Sequence, residues 1–93
     1  MKSKLNKAFR KRFEELPVEA QKIAVECYEK WLANHYHPSL EFKRLAGTKH
    51  KRIHAIRVGL NWRALGAYAP ENDTIDWFWI GSHEAYNQLV KRL

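Results

Sequence analysis

The hydrophobic pattern of this chain changes its period once, near Leu40, and this change limits the possible folds more than any other feature of the sequence. Before Leu40, apolar side chains recur every three or four residues, which predicts amphipathic helices over residues 3–16 and 17–34. Pro17 separates the two, because proline suits the first turn of a helix and disrupts its interior. The first residues of the first segment could instead form a ragged strand. After Leu40, apolar and polar residues alternate as they do in strands, so the chain is expected to be α+β.

Turn-forming residues divide the second half of the chain into four segments of alternating polarity, which predicts an antiparallel sheet with short turns. Thr74–Ile80 is β-branched or aromatic almost throughout, so we expect a central strand that is buried on both faces. Ser82 is a typical helix N-cap and predicts a C-terminal helix. The predicted fold has two N-terminal helices packed on one face of a four-stranded, antiparallel, curled sheet, followed by a short C-terminal helix. The predicted strands lie at about 40–45, 53–58, 62–68 and 74–80.

The length of 93 residues suits one domain, and the sequence contains no repeat or linker, so residues 1–93 are expected to form a single domain. Apolar residue types make up 45% of the chain, which is enough for one core. No apolar run approaches the roughly 18–20 residues that a membrane span needs. No apolar segment of a secretory signal peptide follows the N-terminal cations. These features predict a cytoplasmic protein that does not have a membrane as its partner.

The positive charge of the chain is concentrated in one stretch. Lysine and arginine number 17 against 10 acidic residues, which gives a formal net charge of +7. Residues 42–70 contain seven cations and no acid, so their charge equals the whole excess. Such a stretch is typical of a surface that binds a polyanion: nucleic acid, an acidic protein or an anionic membrane. The seven cations are Lys43, Arg44, Lys49, Lys51, Arg52, Arg57 and Arg63.

Other common chemistries have no signature in this sequence. His35 and His37 lie two residues apart, without a carboxylate or cysteine at ligand spacing, so no metal site is predicted. The four glycines are not clustered, which argues against a phosphate-binding glycine loop. Cys27, the single cysteine, lies on the apolar stripe of the second helix and is expected to belong to the core. We therefore expect neither a metal ion nor a cofactor.

Four side chains have the chemistry for cleaving a phosphodiester without a metal ion. Arg57 and Arg63 lie on adjacent predicted strands around a turn at Gly59, and guanidinium groups stabilise charge that develops on phosphoryl oxygens. His83 suits removal of a proton from a ribose 2′-hydroxyl, or protonation of the leaving 5′-oxygen, because histidine changes its charge near neutral pH. Tyr86, three residues later on the same helical face, could orient the phosphate or stack on a base.

Each of these four residues also has a purely structural explanation. His83 could simply begin a helix, and Tyr86 could pack in the core. Arg57 and Arg63 could each be solvated strand residues. Composition and spacing alone therefore support no more than a basic binding domain.

Three motifs, in this order along the chain, are more specific. They are HPSLEFKRL at 37–45, IRVGLNWRALG at 56–66 and WFWIGSHEAY at 77–86. Together they resemble the RelE/ParE toxin superfamily, and more narrowly a small RelE-like subgroup, over about residues 9–90. The resemblance implies the toxin of a type II toxin–antitoxin system, neutralised by an antitoxin encoded beside it. In the RelE branch the activity is metal-independent, ribosome-dependent cleavage of mRNA, and in the ParE branch the target is DNA gyrase.

The resemblance also implies roles for individual residues. Arg63 falls on a strand arginine tied to phosphate stabilisation, and Arg57 on an arginine of the basic surface. His83 occupies a position where active members carry arginine or histidine, and Tyr86 resembles the C-terminal tyrosine of the family. The paired lysines of well-studied RelE members are missing from the second strand. The candidate RNA-binding residues of this chain are Lys43, Arg44, Lys49, Lys51, Arg52 and His54.

The leading interpretation is a metal-independent endoribonuclease that acts on the ribosome, with rRNA and mRNA as partners. His83 favours this activity, because binding to gyrase gives no reason for a titratable group at that position. A cognate acidic antitoxin is expected, since an extended acidic segment would neutralise and cover a cation-rich sheet face. The alternatives are a ParE-like gyrase inhibitor and a binding-only, non-toxic relative.

Overall fold

A computed structural model describes residues 1–46 and 52–92, and within them the chain forms three α-helices and one five-stranded sheet. No helix in these two ranges is long and apolar enough to cross a membrane. The elements are β1 (Lys2–Leu5), α1 (Lys7–Glu14), α2 (Val18–Ala33), a 3₁₀ turn (Pro38–Leu40), β2 (Lys43–Arg44), β3 (Ile53–Val58), β4 (Trp62–Ala69), β5 (Thr74–Ser82) and α3 (His83–Val90).

The strands are arranged in the order β1-β5-β4-β3-β2. β1 runs parallel to β5, and the other neighbouring pairs are antiparallel. The predicted α+β class is confirmed. The predicted number of strands is wrong, because β1 adds a fifth strand and makes the sheet mixed.

β1 occupies the first part of the segment that was predicted as a helix from residue 3. Its backbone completes the edge of β5, where Lys2 N–H donates to the carbonyl of Asp73 at 2.8 Å. Asn6 then caps α1, since its side-chain oxygen accepts the N–H of Phe9 at 2.8 Å. A strand is therefore the correct alternative for the first residues of this segment, and the helix begins after Asn6.

The strand predicted over 40–45 is shorter in the structure. The 3₁₀ turn Pro38–Leu40 ends in Glu41, whose φ of 45° is left-handed. A residue in this conformation interrupts an extended backbone. β2 therefore contains only Lys43–Arg44.

The two N-terminal helices pack on one face of the sheet, as predicted. Trp31 of α2 is fully buried there. Its ring meets the ring of Trp77 from β5 edge-on at 5.5 Å, and that of Phe42 at 5.6 Å. Ile56 and Val58 of β3 belong to the same cluster.

The opposite face of the sheet carries α3. Side chains alternate along a strand, so Ile53 and Ala55 point away from the cluster that holds Ile56. They form a second, smaller core with Leu65 and Trp79, and residues of α3 pack against it. We call this side the α3 face.

An irregularity in β5 sets which of its side chains reach each face. Leu65 is paired with Trp79, but the next residue of β4, Gly66, is paired with Trp77, so Phe78 is an extra residue that forms a β-bulge. The bulge reverses the alternation, and Ile80 joins Trp77 in the core beneath α1 and α2. β5 lies between β1 and β4 and contributes to both cores, which confirms that Thr74–Ile80 is an interior strand buried on both sides.

Candidate functional site

Two arginines lie side by side on the α3 face. Arg57 of β3 and Arg63 of β4 are direct partners in the antiparallel register. Directly opposed residues point to the same side of a sheet, and the alternation from Ala55 and Leu65 makes this the α3 face. Two guanidinium groups in adjacent positions repel one another unless an anion lies between or beside them.

Glu41 supplies a negative charge to one of these arginines. Its carboxylate accepts a hydrogen bond from Nη1 of Arg57 at 3.0 Å, and both side chains are partly exposed. Glu41 was not among the site residues predicted from the sequence. The residue lies inside the first motif, yet no spacing rule connects it to Arg57, sixteen positions later.

Arg63 is held by main-chain carbonyls instead. Its Nη1 donates to the carbonyl of Trp62 at 2.7 Å and to that of Gly59 at 3.5 Å. Burial lowers the pKa of Arg63, and the neighbouring charge of Arg57 lowers it further. A guanidinium keeps its proton despite such a shift. The site therefore holds a partly desolvated cation that is not bonded to a carboxylate within the described residues.

The start of α3 brings two further predicted residues to the same place. Ser82 caps this helix, because its hydroxyl accepts the N–H of Ala85 at 3.0 Å. The N–H of His83 donates to the carbonyl of Asn61 at 2.8 Å, which fixes the helix to the β3–β4 turn. The rings of His83 and Tyr86 lie nearly parallel, with centroids 6.4 Å apart.

The environment of Tyr86 keeps its hydroxyl protonated. Burial raises the pKa of the Tyr86 phenol, and the positive charge of Arg63 opposes that rise without cancelling it. At neutral pH the group is therefore a neutral O–H donor beside a cation. Its ring centroid lies 6.5 Å from that of Trp79 on the sheet.

Arg12, which was not among the site residues predicted from the sequence, reaches the same region from α1. Its Nε donates to the carbonyl of Ile80 at 3.0 Å, and its guanidinium carbon lies 5.0 Å from the ring centroid of Trp79. The sequence showed only that Arg12 belongs to a run of N-terminal cations. Its approach to β5 depends on contact with Ile80, which lies 68 positions later in the chain.

The candidate RNA-binding residues of β2 and β3 are divided between the two faces. Lys43 is paired with Ala55 and lies on the α3 face, where it is exposed. Arg44 is paired with His54, whose ring lies 5.1 Å from that of Phe42, in the core beneath α2. His54 and Arg44 therefore point away from Arg57.

The other three candidates lie between β2 and β3 along the chain. Arg52 is exposed and forms an ion pair with Glu71 at 3.6 Å, at the end of β3 far from the two arginines of the site. Lys49 and Lys51 lie outside the described residues. No group of three histidine, cysteine, aspartate or glutamate side chains is placed to hold a metal ion in residues 1–46 and 52–92.

The sequence model of one protein family, described as the ParE-like toxin domain, matches residues 19–88. This chain belongs to the ParE-like toxin family. The match includes all four predicted catalytic positions of this ParE-like toxin domain, but not Arg12. The superfamily suggested by the three motifs is thus confirmed. No match was found among curated proteins.

The fold of this ParE-like toxin domain is that of solved RelE proteins. The RelBE2 toxin–antitoxin complex from Mycobacterium tuberculosis contains a chain with a TM-score of 0.69 and 17% identity, and the match covers 88% of this chain and 96% of that one. The RelB–RelE complex from Methanococcus jannaschii gives a TM-score of 0.68 at 21% identity, over 91% and 95% of the two chains. The isolated Escherichia coli RelE toxin gives 0.63 at 15% identity, over 98% and 96%. At these identities the similarity establishes the fold.

Proposed function

We propose that this ParE-like toxin domain is the toxin of a type II toxin–antitoxin system and cleaves mRNA on the ribosome without a metal ion. One observation carries the proposal: Arg57 and Arg63 are adjacent on the α3 face, where His83 and Tyr86 also lie. A phosphate anion fits beside two guanidinium groups, and a group able to transfer protons is available at the same edge of the sheet.

The reaction is an attack by the ribose 2′-oxygen on the adjacent phosphorus. A base takes the 2′-hydroxyl proton, the new O–P bond forms, and the bond from phosphorus to the 5′-oxygen breaks. An acid then gives a proton to the departing 5′-oxygen. Arg63 stabilises the charge that builds up on the phosphoryl oxygens, and the Tyr86 hydroxyl donates a hydrogen bond to the same group.

Two side chains divide the proton transfers between them. The side chain of Glu41 is held at the site by a hydrogen bond from Arg57, and its carboxyl oxygens are the acceptors proposed for the 2′-hydroxyl proton. His83 is exposed at the first position of α3, where it is free to approach the leaving oxygen. From the sequence, His83 was considered for either of the two proton roles. The position of Glu41 allows the two roles to be given to different residues.

A cognate acidic antitoxin would neutralise this surface. In the inactive toxin, the cations of the α3 face need to be neutralised and covered. An extended acidic segment would neutralise their charge and also block access to them. Three similar solved chains come from complexes of RelE with RelB or from the RelBE2 toxin–antitoxin complex, which supports an antitoxin as partner. A ribosomal target also implies a cytoplasmic protein.

In vitro translation followed by primer extension on the mRNA tests the activity. The wild-type protein is expected to produce cuts in phase with the codons. The Arg63→Ala variant is expected to cut about 10²–10³-fold more slowly, because it lacks a cation that faces the transition state. Arg10→Ala is the matched control, since Arg10 is exposed and its side chain hydrogen-bonds only to the carbonyl of Leu5 within the described residues.

Inhibition of gyrase is the second candidate, and the ParE-like family match favours it. That function requires binding and no proton transfer, so His83→Ala would remain toxic and broken DNA would accumulate with gyrase. A wild-type protein that leaves mRNA intact on active ribosomes would rule out the endoribonuclease. Absence of any growth arrest on expression would indicate the third alternative, a binding-only relative.

A further inference from the structure

The guanidinium of Arg12 lies on the α3 face, although α1 packs mainly on the other side of the sheet. β1 pairs with β5 only as far as Trp77, so beyond that residue none of the described strands pairs with this edge of β5. Arg12 fills the gap, since its Nε donates to the carbonyl of Ile80 at 3.0 Å. The contact draws the guanidinium across the edge of β5 to the ring of Trp79.

Gly81 provides the space into which this guanidinium projects. A Cβ atom on Gly81 would lie 2.7 Å from the ring of Trp79 and 3.4 Å from Nη2 of Arg12. Gly81 is also the direct partner of Arg63 in the antiparallel register. The two arginines therefore approach the same glycine from opposite sides.

Most hydrogen-bonding groups of the Arg12 guanidinium are available to a ligand. The side chain is exposed, and within residues 1–46 and 52–92 only its Nε makes a hydrogen bond. Arg12 also forms no ion pair in those ranges, whereas Arg57 is bonded to Glu41. Its two Nη groups keep their N–H donors in the fork geometry that suits a phosphate.

We propose that Arg12 forms a second phosphate subsite beside Arg63, over Gly81, and that it binds the backbone phosphate next to the one that is cleaved. The ring of Trp79 and the carbonyl of Ile80 hold the guanidinium in place before RNA arrives. The identity of the ligand as single-stranded RNA rests on the proposed function. The subsite extends the basic surface from β3 and β4 across β5 to α1.

Binding to RNA tests the subsite without any cleavage. The probe is a short, fluorescein-labelled single-stranded RNA with 2′-O-methyl riboses, which lacks the attacking hydroxyl, and its anisotropy is measured over a range of salt concentrations. In Arg12→Gln the side chain keeps an N–H donor for Ile80 and loses its charge. We expect binding to weaken by about tenfold and the slope of log K against log salt to fall by about 0.7, the value for one phosphate contact on a single strand.

Arg10→Gln is the matched control, because it removes the same charge from the same helix outside the subsite. Its affinity and salt slope are expected to equal those of the wild type. Arg12→Lys keeps the charge and is expected to retain the salt slope with lower affinity, since lysine lacks the planar fork. Thermal unfolding of each variant confirms that the compared proteins are folded.

The outcomes separate this inference from the proposed function. If Arg12→Gln binds the RNA with wild-type affinity and salt slope, the subsite does not exist, even where Arg63→Ala abolishes cleavage. If Arg12→Gln loses affinity and slope as expected while the wild type fails to cut mRNA on ribosomes, the subsite stands and the endoribonuclease proposal is overturned. An equal loss of RNA affinity and salt slope in Arg10→Gln would also overturn the subsite, because the effect would then come from the net charge of the protein and not from a specific contact.

Discussion

At the scale of single residues, Arg57 and Arg63 have the same side chain but differ in hydrogen-bond partners and in burial. Arg57 is bonded to the carboxylate of Glu41, whereas Arg63 is bonded to main-chain carbonyls and is partly desolvated. A desolvated cation interacts more strongly with an anion than one whose charge is already balanced. Under the proposed function, Arg63 is therefore the residue expected to contribute most to stabilising the phosphoryl group. Arg57 orients Glu41 as well as adding charge.

Gly81 allows Trp79 and Arg12 to pack at one point, and its replacement tests that packing. Gly81→Ala is expected to destabilise the protein by about 1–3 kcal/mol, since the new Cβ would lie 2.7 Å from two atoms of the indole, Cζ2 and Cη2. Phenylalanine lacks these two atoms. In a Trp79→Phe background the same change is therefore expected to cost much less, as measured by denaturant unfolding. An equal cost in both backgrounds would show that the indole does not limit this site.

At the scale of elements, α3 is held to the sheet by side chains that are only partly buried. The structure describes all of His83–Val90, and none of these residues is fully buried. Ala85, Tyr86, Leu89 and Val90 pack only partly buried against the second core. An element with so little buried surface opens without global unfolding. Its N-terminal cap therefore matters for the alignment of His83 with the arginines.

Removal of this cap should loosen α3 alone. Ser82→Ala removes the acceptor for the N–H of Ala85, and such losses cost about 0.5–2 kcal/mol. We expect hydrogen exchange to become faster at the amides of α3 while β3 and β4 keep their protection. Ser82→Asp, which keeps an acceptor at this position, is the control and should retain slow exchange. Faster exchange throughout the sheet would instead mean that α3 and the sheet unfold together.

At the scale of the whole molecule, the larger of the two cores and the candidate site lie on opposite faces of the sheet. One face holds the aromatic core of Trp31, Trp77 and Phe42 beneath the N-terminal helices. The other face holds the two arginines, with His83 exposed at its edge. Substitutions on the two sides should therefore have different consequences.

Two alanine variants test this separation. Trp77→Ala is expected to lower the free energy of unfolding by about 3–5 kcal/mol, because it empties a fully buried position in contact with Trp31. His83→Ala is expected to change it by less than about 0.5 kcal/mol, since the side chain is exposed. Denaturant unfolding measures both. A large loss of stability in His83→Ala would mean that its effect on toxicity could not be assigned to proton transfer.

The parts of the structure that depend on local pattern were predictable. Periodicity located α2 and β5, and the turn at Gly59, which has a φ of 65°, placed Arg57 and Arg63 on neighbouring strands. Ser82 marked the start of α3 through its capping chemistry. β1 was harder, because its residues fit a helix as well as a strand, and only pairing with β5 distinguishes the two.

The composition of the site depended on contacts between distant positions. Glu41 reaches Arg57 because its own left-handed backbone conformation redirects the chain after the 3₁₀ turn. Arg12 reaches Ile80 because the pairing of β1 with β5 ends at Trp77. Neither contact leaves a periodic signal in the sequence. The position of His54, in contrast, follows from strand alternation. This alternation directs the side chain to the face covered by α1 and α2, where its ring lies against Phe42.

The sequence by itself determined the α+β class, the basic character of residues 42–70 and the family, because periodicity, charge and motifs are properties of neighbouring residues. Only the tertiary structure decided which charges share a face and which are already paired. Register, the bulge at Phe78 and the parallel strand β1 set those relations. Each of them depends on hydrogen bonds and packing between segments far apart in the chain. Which segments pair is decided by the free energy of the whole fold and not by their spacing in the sequence.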